Sequence, residues 1–264
     1  MRGKNSRGEF LAILPKSYAR RGDFLAEPRL RQFFIFWIFD AGTGFFMNRL
    51  SSFTHLFWDL DGTLTESAPG IMNSARHALD YYGIHDVPQS TLKKFIGPPL
   101  MDSFQELFGF SHEKAYEAMG KYREYFGEKG LFENSVYDGI IETLQALKNQ
   151  GKHLYVATSK PEVFMKRILE RFQLARFFEF AGGSDLEESR SEKALVIQYV
   201  IQENNLEDEQ EKGRILMIGD RKHDIIGAHK NKIPCCACLW GYGSRQEFSE
   251  FSADYVIERP GELL

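Results

Sequence analysis

Cysteine is scarce in this chain. The 264 residues include only three cysteines, and all three fall in one short apolar run, as Cys235, Cys236 and Cys238. Neighbouring positions of one strand cannot form a disulfide framework, and no second cluster of cysteine and histidine has the spacing of a metal site. We therefore expect buried free thiols and a reducing, cytoplasmic location.

An excess of positive charge is also missing. The chain has 33 Lys and Arg against 37 Asp and Glu, a formal net charge of -4, which argues against a dedicated nucleic-acid binder. Hydrophobic residues make up 43% of the chain and charged residues 27%, as in an ordinary soluble globular protein. This length accommodates one large domain with an insertion and a substantial core.

The N-terminal segment lacks an apolar run long enough to cross a membrane. Phe33–Phe39 is apolar, but seven residues cannot span a bilayer. Residues 1–46 contain eight Lys and Arg against four Asp and Glu, so they carry +4 and the remainder carries -8. We expect residues 1–52 to be a poorly ordered extension without stable membrane association, or an in-frame upstream start before Met47. A basic, aromatic tail lying on a membrane surface is the alternative.

Beyond residue 52, short apolar runs alternate with helical patterns. This alternation predicts an α/β fold with a Rossmann-like parallel sheet and helices on both faces. The predicted strands are His55–Asp59, His153–Thr158, Phe178–Ala181, Ile215–Gly219, Cys235–Trp240 and Tyr255–Ile257. The helices predicted between them are Ile140–Asn149, Pro161–Arg171, Ser191–Glu203 and Asp224–Asn231. Ligands of such sheets bind beyond the carboxyl ends of the strands, so the polar residues found there are the site candidates.

Residues 69–135 break this alternation because no strand pattern is evident in them. We expect them to form an all-helical cap over the active site, with residues 53–68 and 136–264 as the core. The predicted cap helices are Ile71–Tyr82, Ser90–Phe95, Met101–Phe108 and His112–Phe126. Between two of these helices, Gly97-Pro98-Pro99 forces a rigid turn, which is how a loop is held against a substrate.

The most informative stretch is Asp59-Leu60-Asp61-Gly62-Thr63, directly after the apolar run Leu56–Trp58. Side chains two positions apart on a strand point the same way, so Asp59 and Asp61 should face one cleft. Adjacent carboxylates repel each other unless a cation or a shared proton relieves them. The pair therefore indicates a Mg2+ site or an acid–base pair, with a Ca2+-type loop or a solvated turn as the structural alternative.

A second pair of carboxylates follows another buried run. Asp220 comes directly after Ile215–Gly219, and Asp224 begins the next predicted helix. Because the carboxyl ends of parallel strands share one edge, these carboxylates and the first pair suit an oxygen-ligated cation such as Mg2+. The intervening Arg221, Lys222 and His223 are expected to be solvated rather than catalytic.

Phosphate has a candidate site as well. Thr158 ends a predicted strand, and the helix start that follows offers free N–H groups for a phosphate. An N-cap role for Thr158 is an equal alternative. Lys193 begins a later helix, and taken singly it fits a solvated surface lysine.

Taken in order, these residues resemble the haloacid dehalogenase superfamily, specifically its phosphatases with a helical cap. The four matching signatures are Asp59-x-Asp61-Gly62-Thr63, Thr158, Lys193 and Gly219-Asp220-x-x-x-Asp224. Within the superfamily, the chain is similar to the phosphoglycolate phosphatase and 5'-nucleotidase branch, through stretches such as Phe95–Leu100 and Thr158–Pro161. One departure is that Lys193 precedes Ala194, where many relatives have Lys-Pro.

The resemblance implies a Mg2+-dependent phosphatase that acts on a small phosphorylated metabolite through an aspartyl-phosphate. Asp59 would be the nucleophile, and Asp61 the general acid and base. The implied metal ligands are Asp59, Asp61 through its backbone carbonyl, Asp220 and Asp224. The implied catalytic and substrate-binding residues further include Thr158, Ser159, Lys193, which also pairs with Asp59, and Gly97.

Other functions stay open at this stage. A 5'-nucleotidase or a phosphotyrosine phosphatase would use the same scaffold. A phosphomutase of the beta-phosphoglucomutase type shares the core and the cap, although His85 and His112 of the cap stand in no pattern that we recognise. A non-catalytic binding protein on the same fold is the third alternative. The sequence carries no code for the substrate or the oligomeric state.

Overall fold

The computed structural model describes residues 50–186 and 189–264. The expectation for the N-terminal extension therefore falls almost entirely on residues outside the described part. The first described residue, Leu50, is buried, and Lys152 Nζ donates to the carbonyl oxygens of Ser51 and Phe53 at 2.8 and 2.6 Å. Within the described ranges, no helix combines the length and the apolar character needed to cross a membrane.

The described chain contains six strands of a central sheet and two strands of a small separate pair. In chain order the strands are β1 (His55–Trp58), β2 (Thr65–Glu66), β3 (Ser135–Val136), β4 (His153–Pro161), β5 (Phe180–Ser184), β6 (Ile215–Gly219), β7 (Cys235–Cys238) and β8 (Tyr255–Ile257). The central sheet is parallel throughout, in the order β5-β4-β1-β6-β7-β8. This architecture confirms the predicted α/β fold.

The helices of the described ranges fall into two groups. Four lie between β2 and β3: α1 (Ala68–Tyr81), α2 (Gln89–Leu92), α3 (Leu100–Phe108) and α4 (His112–Glu128). The others alternate with the strands: α5 (Ile140–Asn149), α6 (Glu162–Arg171), α7 (Lys193–Glu203), α8 (Glu207–Glu211), α9 (Lys222–Lys230) and α10 (Arg245–Glu250). Short 3-10 turns are Lys93–Phe95, Gly130–Phe132, Ala175–Phe177 and Pro260–Leu263.

The sheet is buried because successive side chains of its strands serve opposite faces. On one face, Phe57, Tyr155 and Met217 belong to a buried apolar cluster with residues of α7 and α9, such as Val196 and Ile225. The alternate positions of β1 and β6 are also fully buried and face the opposite side. Strand β1 lies between β4 and β6 and is buried on both faces. Residues at its carboxyl end therefore have a rigid base.

The helical group is attached to the core through the antiparallel pair β2–β3, in which Thr65 lies opposite Val136. We call the segment between these strands, residues 67–134, the insert. Its own packing is largely aromatic: Phe104 lies between Phe95 and Phe110, with ring centroids 5.0 and 5.9 Å away. The insert therefore has a core of its own beyond the edge of the sheet.

The root of the insert is held by one side chain of the core. The Tyr242 hydroxyl accepts hydrogen bonds from the backbone N–H groups of Ser67 and Ala68, both at 2.9 Å. It donates to Glu66 Oε1 at 3.0 Å. The point where the chain leaves β2 for α1 is thus tied to the loop after β7.

Several element bounds differ from the sequence prediction for local reasons. Strand β5 begins at Phe180 rather than Phe178, because Ala175–Phe177 is a 3-10 turn. Helix α9 begins at Lys222 rather than Asp224, since the Asp224 carboxylate accepts the Arg221 N–H at 3.0 Å and thereby caps the helix start. The predicted rigid turn is present: Gly97 has a φ of 104°, which favours glycine.

Candidate active site

The candidate site lies where the strand order reverses. The chain passes from β1 outward to β4 and β5, then crosses to β6 on the other side of β1. Crevices at such reversals, beyond the carboxyl ends of the strands, are where open α/β sheets bind ligands. Asp59 directly follows β1, Asp220 directly follows β6, and Thr158 lies in the last part of β4. Three adjacent strands therefore deliver these residues to one place.

Lys193 is at the centre of the buried charges. Its Nζ lies 2.6 Å from Asp59 Oδ1 and 2.9 Å from Asp224 Oδ1, and it donates to the carbonyl oxygen of Ala157 at 3.0 Å. All three charged residues are buried. A buried ammonium requires this kind of compensation, and here three oxygens provide it. The lysine is thus not a solvated surface residue.

The carboxylate of Asp220 is fixed by the loops around it. Its Oδ2 accepts the backbone N–H of Tyr242 at 2.7 Å, and its Oδ1 accepts the Thr63 hydroxyl at 3.3 Å. The turn after β1 has to pass close by: a Cβ added to Gly62 would lie 2.3 Å from Asp220 Oδ2, and this glycine has a φ of +86°. Only glycine fits both the conformation and the space.

Asp59, Asp220 and Asp224 form a three-carboxylate cluster. One oxygen from each lies within 4.8 Å of the others. Oxygen donors of this kind fit a hard cation such as Mg2+, and the mutual repulsion of three buried carboxylates is a physical reason for a cation to bind. The side chain of Asp61 is not one of the three in this cluster.

Burial and crowding change the proton affinities of this cluster. Burial, together with the charges of Asp224 and Asp61, raises the pKa of Asp59 to about 6, although Lys193 opposes the rise. Burial and the neighbouring carboxylates raise the pKa of Asp220 well above its ordinary value. For Lys193, burial alone would lower the pKa, but the charges of Asp224 and Asp59 outweigh it and the pKa is raised. The lysine therefore stays charged.

Asp61 has a partner that the sequence did not reveal. Lys160 Nζ lies 2.7 Å from Asp61 Oδ2, in a pair that is almost as buried as the first one. The other oxygen, Oδ1, is buried and has no hydrogen-bond partner within the described part of the chain. Lys160 also lies 4.4 Å from the centre of the Phe126 ring, on α4 of the insert. The sequence Thr-Ser-Lys-Pro contains no pattern that predicts an ion pair between Lys160 and Asp61, which are 99 positions apart.

The residues predicted to hold phosphate line the same cleft. Thr158 is buried, and its hydroxyl accepts the backbone N–H of Lys160 at 3.3 Å. It does not cap the helix that follows, because the N-cap residue of α6 is Pro161. Ser159, Lys193 and Gly97 also line the cleft. Of the predicted site residues, all but Asp220 line the cleft.

The insert forms the wall of the cleft opposite the sheet. The cleft between them opens to solvent. The insert residues that line it are Ile71, Phe95, Gly97, Pro98, Pro99, Leu100, Tyr122, Arg123 and Phe126. Apolar and aromatic groups therefore face the charged floor of the cleft, as in many small-molecule sites.

Arg221 links the two walls, contrary to the expectation that it would be solvated. Its Nη1 donates to the carbonyl oxygen of Ile96 at 2.8 Å, and its Nε donates to Glu247 Oε1 at 3.2 Å. The residue after Asp220 thus fastens the loop that contains Gly97 to the core. Its neighbour His223 lines the cleft as well, and burial lowers the pKa of this imidazole.

Comparisons with known proteins agree with this geometry. The model of the haloacid dehalogenase-like hydrolase family matches residues 56–238. A 5'-nucleotidase of Pseudomonas aeruginosa is 42% identical over 195 residues, covering 74% of this chain and 86% of the relative. The tyrosine-protein kinase PtkA of Mycobacterium tuberculosis is 37% identical over 203 residues, covering 76% and 67%. The crystal structure of a predicted phosphatase from Clostridium acetobutylicum superimposes with a TM-score of 0.76 at 44% identity, covering 80% of this chain and 96% of that one.

Proposed function

The chain belongs to the haloacid dehalogenase-like hydrolases and is a phosphoric monoester hydrolase, and within that class we propose that it uses Asp59 as the nucleophile toward a small phosphomonoester. The observation that supports this role is the place of Asp59 on the cleft floor, between Lys193 and two further carboxylates. A carboxylate attacks a phosphate only where positive charge offsets the repulsion between them. Lys193 supplies part of that charge.

The residues of the chain then divide the reaction between them. Asp59 attacks phosphorus as the bond to the leaving oxygen breaks, and Asp61 gives that oxygen a proton. Asp61 next accepts a proton from the water that hydrolyses the aspartyl-phosphate. Thr158, Ser159 and Lys193 line the cleft and would bind the phosphoryl oxygens.

Mg2+ fits the three-carboxylate cluster, where Asp59, Asp220 and Asp224 would hold it with help from the Asp61 carbonyl. When bound, it would neutralise charge on the transferring phosphoryl group.

Nucleoside 5'-monophosphates are the substrates that we favour. Two observations support them: the 42% identical relative is a 5'-nucleotidase, and the cleft presents the rings of Phe95, Phe126 and Phe164 together with Arg123. Aromatic and apolar walls suit a nucleobase, whereas phosphoglycolate has a single CH2 group to bury. Phosphoglycolate is therefore the second candidate.

Phosphate release from a panel of phosphomonoesters tests the proposal. With Mg2+, the protein should release phosphate from nucleoside 5'-monophosphates with a higher kcat/KM than from phosphoglycolate, and EDTA should abolish release. Asp59→Asn should lower kcat by about 10⁴-fold or more. Asp254→Asn, at an exposed carboxylate paired with His229, is the matched control and should stay near wild type. An active Asp59→Asn variant would remove the nucleophile assignment.

Transfer of a phosphoryl group to tyrosine is the alternative activity, because a relative of comparable identity is the kinase PtkA. The same purified protein, given ATP labelled at the γ-phosphate and a tyrosine peptide, distinguishes the two activities. Label on the peptide would favour transfer, and free phosphate alone would favour hydrolysis. Isomerisation of a sugar phosphate without phosphate release would favour the phosphomutase.

A further inference from the structure

We propose that Lys160 is a positioning residue for Asp61: it fixes one carboxylate oxygen so that the other faces the leaving oxygen of the substrate. The inference rests on the proposed function of Asp61 as the acid and base of the phosphatase reaction. It adds a residue that the sequence signatures do not contain, and it links that residue to the insert.

The geometry around Asp61 supports this arrangement. Lys160 Nζ lies 2.7 Å from Asp61 Oδ2, and the two side chains are only 6% and 14% exposed. Asp61 Oδ1 is buried without a hydrogen-bond partner among the described residues. A buried, unpartnered carboxylate oxygen is costly, and because Asp61 lines the cleft, a bound hydroxyl or water that donates to Oδ1 relieves that cost. A protonated Oδ1 would instead donate to the leaving ester oxygen.

Lys160 is itself held from two sides. Its backbone N–H donates to the Thr158 hydroxyl at 3.3 Å, which fixes the end of β4. Its ammonium lies 4.4 Å from the ring centre of Phe126, an attractive cation–π distance. The ring of Phe126 thus adds an attraction from α4 of the insert to those that hold Lys160 on Asp61.

The chemical consequence falls on the leaving group. When the P–O bond breaks, the proton of the Asp61 carboxyl passes to the leaving oxygen and a carboxylate remains. The ammonium of Lys160 stabilises that carboxylate and keeps its own proton throughout. The more basic the leaving oxygen, the more the reaction depends on this proton transfer. An activated leaving group, which departs without a proton, depends on it little.

Aryl phosphates of similar shape but different leaving-group basicity test this. For phenyl phosphate, Lys160→Met should lower kcat/KM by about 30-fold or more, within the range of general acid catalysis. For 2,4-dinitrophenyl phosphate, the loss should be at most about threefold, since kcat/KM covers only the steps up to departure of the leaving group. Asp61→Asn should show the same selectivity, and Lys160→Arg should restore part of the phenyl phosphate activity.

Lys166→Met is the matched control, because Lys166 forms an exposed ion pair with Glu162 and lies outside the cleft lining. Equal losses on both aryl phosphates in Lys160→Met would overturn the inference. If Lys160→Met does not fold, Lys160→Gln gives the same comparison, with thermal unfolding as the check. A wild-type protein that releases phosphate neither from the aryl phosphates nor from nucleoside 5'-monophosphates would refute the proposed function rather than the role of Lys160.

Discussion

Two lysine–aspartate pairs lie side by side beyond β1, and they are built differently. The inner pair, Lys193–Asp59, has a separation of 2.6 Å, and the outer pair, Lys160–Asp61, has one of 2.7 Å. The inner lysine also contacts Asp224 and the Ala157 carbonyl, which all belong to the core. The outer lysine has Phe126 of the insert as its other neighbour.

In the proposed mechanism, the two pairs serve different parts of one reaction. The contacts of the inner pair given above come from the sheet and its helices, whereas the outer pair also contacts the insert. Phosphoryl transfer would therefore rest on the core, while proton delivery to the leaving group would also involve the insert.

The largest effect should come from removing the inner lysine. Lys193→Met leaves Asp59 and Asp224 buried without their cation, and breaking a buried ion pair in this way costs about 3–5 kcal/mol of unfolding free energy. Denaturant unfolding in EDTA measures this cost. Lys230→Met, in an exposed pair with Glu192, is the control and should change stability little. If Lys193→Met lowered the unfolding free energy no more than Lys230→Met does, the inner pair would not be a buried ion pair in solution.

A dependence of Mg2+ binding on pH should follow from the inner pair and not from the outer one. In the metal-free protein, the pKa of Asp59 is about 6 because of burial and neighbouring carboxylates. Below that pH the carboxyl holds a proton that the metal must displace, so Mg2+ affinity should fall by about tenfold per pH unit. Calorimetric titration between pH 5 and 8 measures it.

The same raised pKa has a stability consequence with a defined sign. Asp59 binds a proton more tightly in the folded protein than in the unfolded chain, so its contribution to stability is complete below about pH 4 and is lost as pH rises through about 6. In EDTA, the thermal midpoint should fall over this window, and Mg2+ should reverse the fall. A Mg2+ affinity that does not change with pH would contradict both expectations.

A smaller effect should come from the link between the two walls. Arg221→Met removes the side-chain hydrogen bonds to Ile96 and Glu247. It keeps the hydrogen bond from the backbone N–H of residue 221 to the Asp224 carboxylate. We expect KM for nucleoside monophosphates to rise by about tenfold, equivalent to one net hydrogen bond to a charged group, with Mg2+ affinity unchanged. Arg245→Met, in an exposed pair with Glu258, is the control. A weakened Mg2+ affinity would show that Arg221 supports the inner pair instead.

The sequence was sufficient for the fold because burial on both faces gives parallel strands continuous apolar runs. All six central strands agree with the sequence prediction to within about three residues at each end, and Asp220 lies at the predicted strand end for the same reason. The pair β2–β3 was missed, since two-residue strands such as Thr65–Glu66 have no periodicity to detect. The family that the signatures resemble is confirmed by the match over residues 56–238.

The part of the site that contacts the insert could not be predicted from the sequence. Lys160 and Arg221 look like ordinary surface cations in the sequence, and each has its decisive contact about a hundred positions away, at Asp61 and at Ile96. Such contacts depend on how the insert packs over the sheet. Strand-end carboxylates, by contrast, are positioned by the strand itself, so local pattern was enough to find them.

Tyr242 joins the start of the insert to the carboxylate cluster. Its hydroxyl holds the backbone at Ser67 and Ala68, while its own N–H holds Asp220. Helix α1 leaves this point and, with 14 residues, extends for about 21 Å. If α1 rotated by about 10° around Tyr242, its far end would move by roughly 4 Å, given the same helix dimensions. Asp220, beside the centre of rotation, would hardly move. A movement of the insert about Tyr242 would therefore leave the carboxylate cluster almost undisturbed.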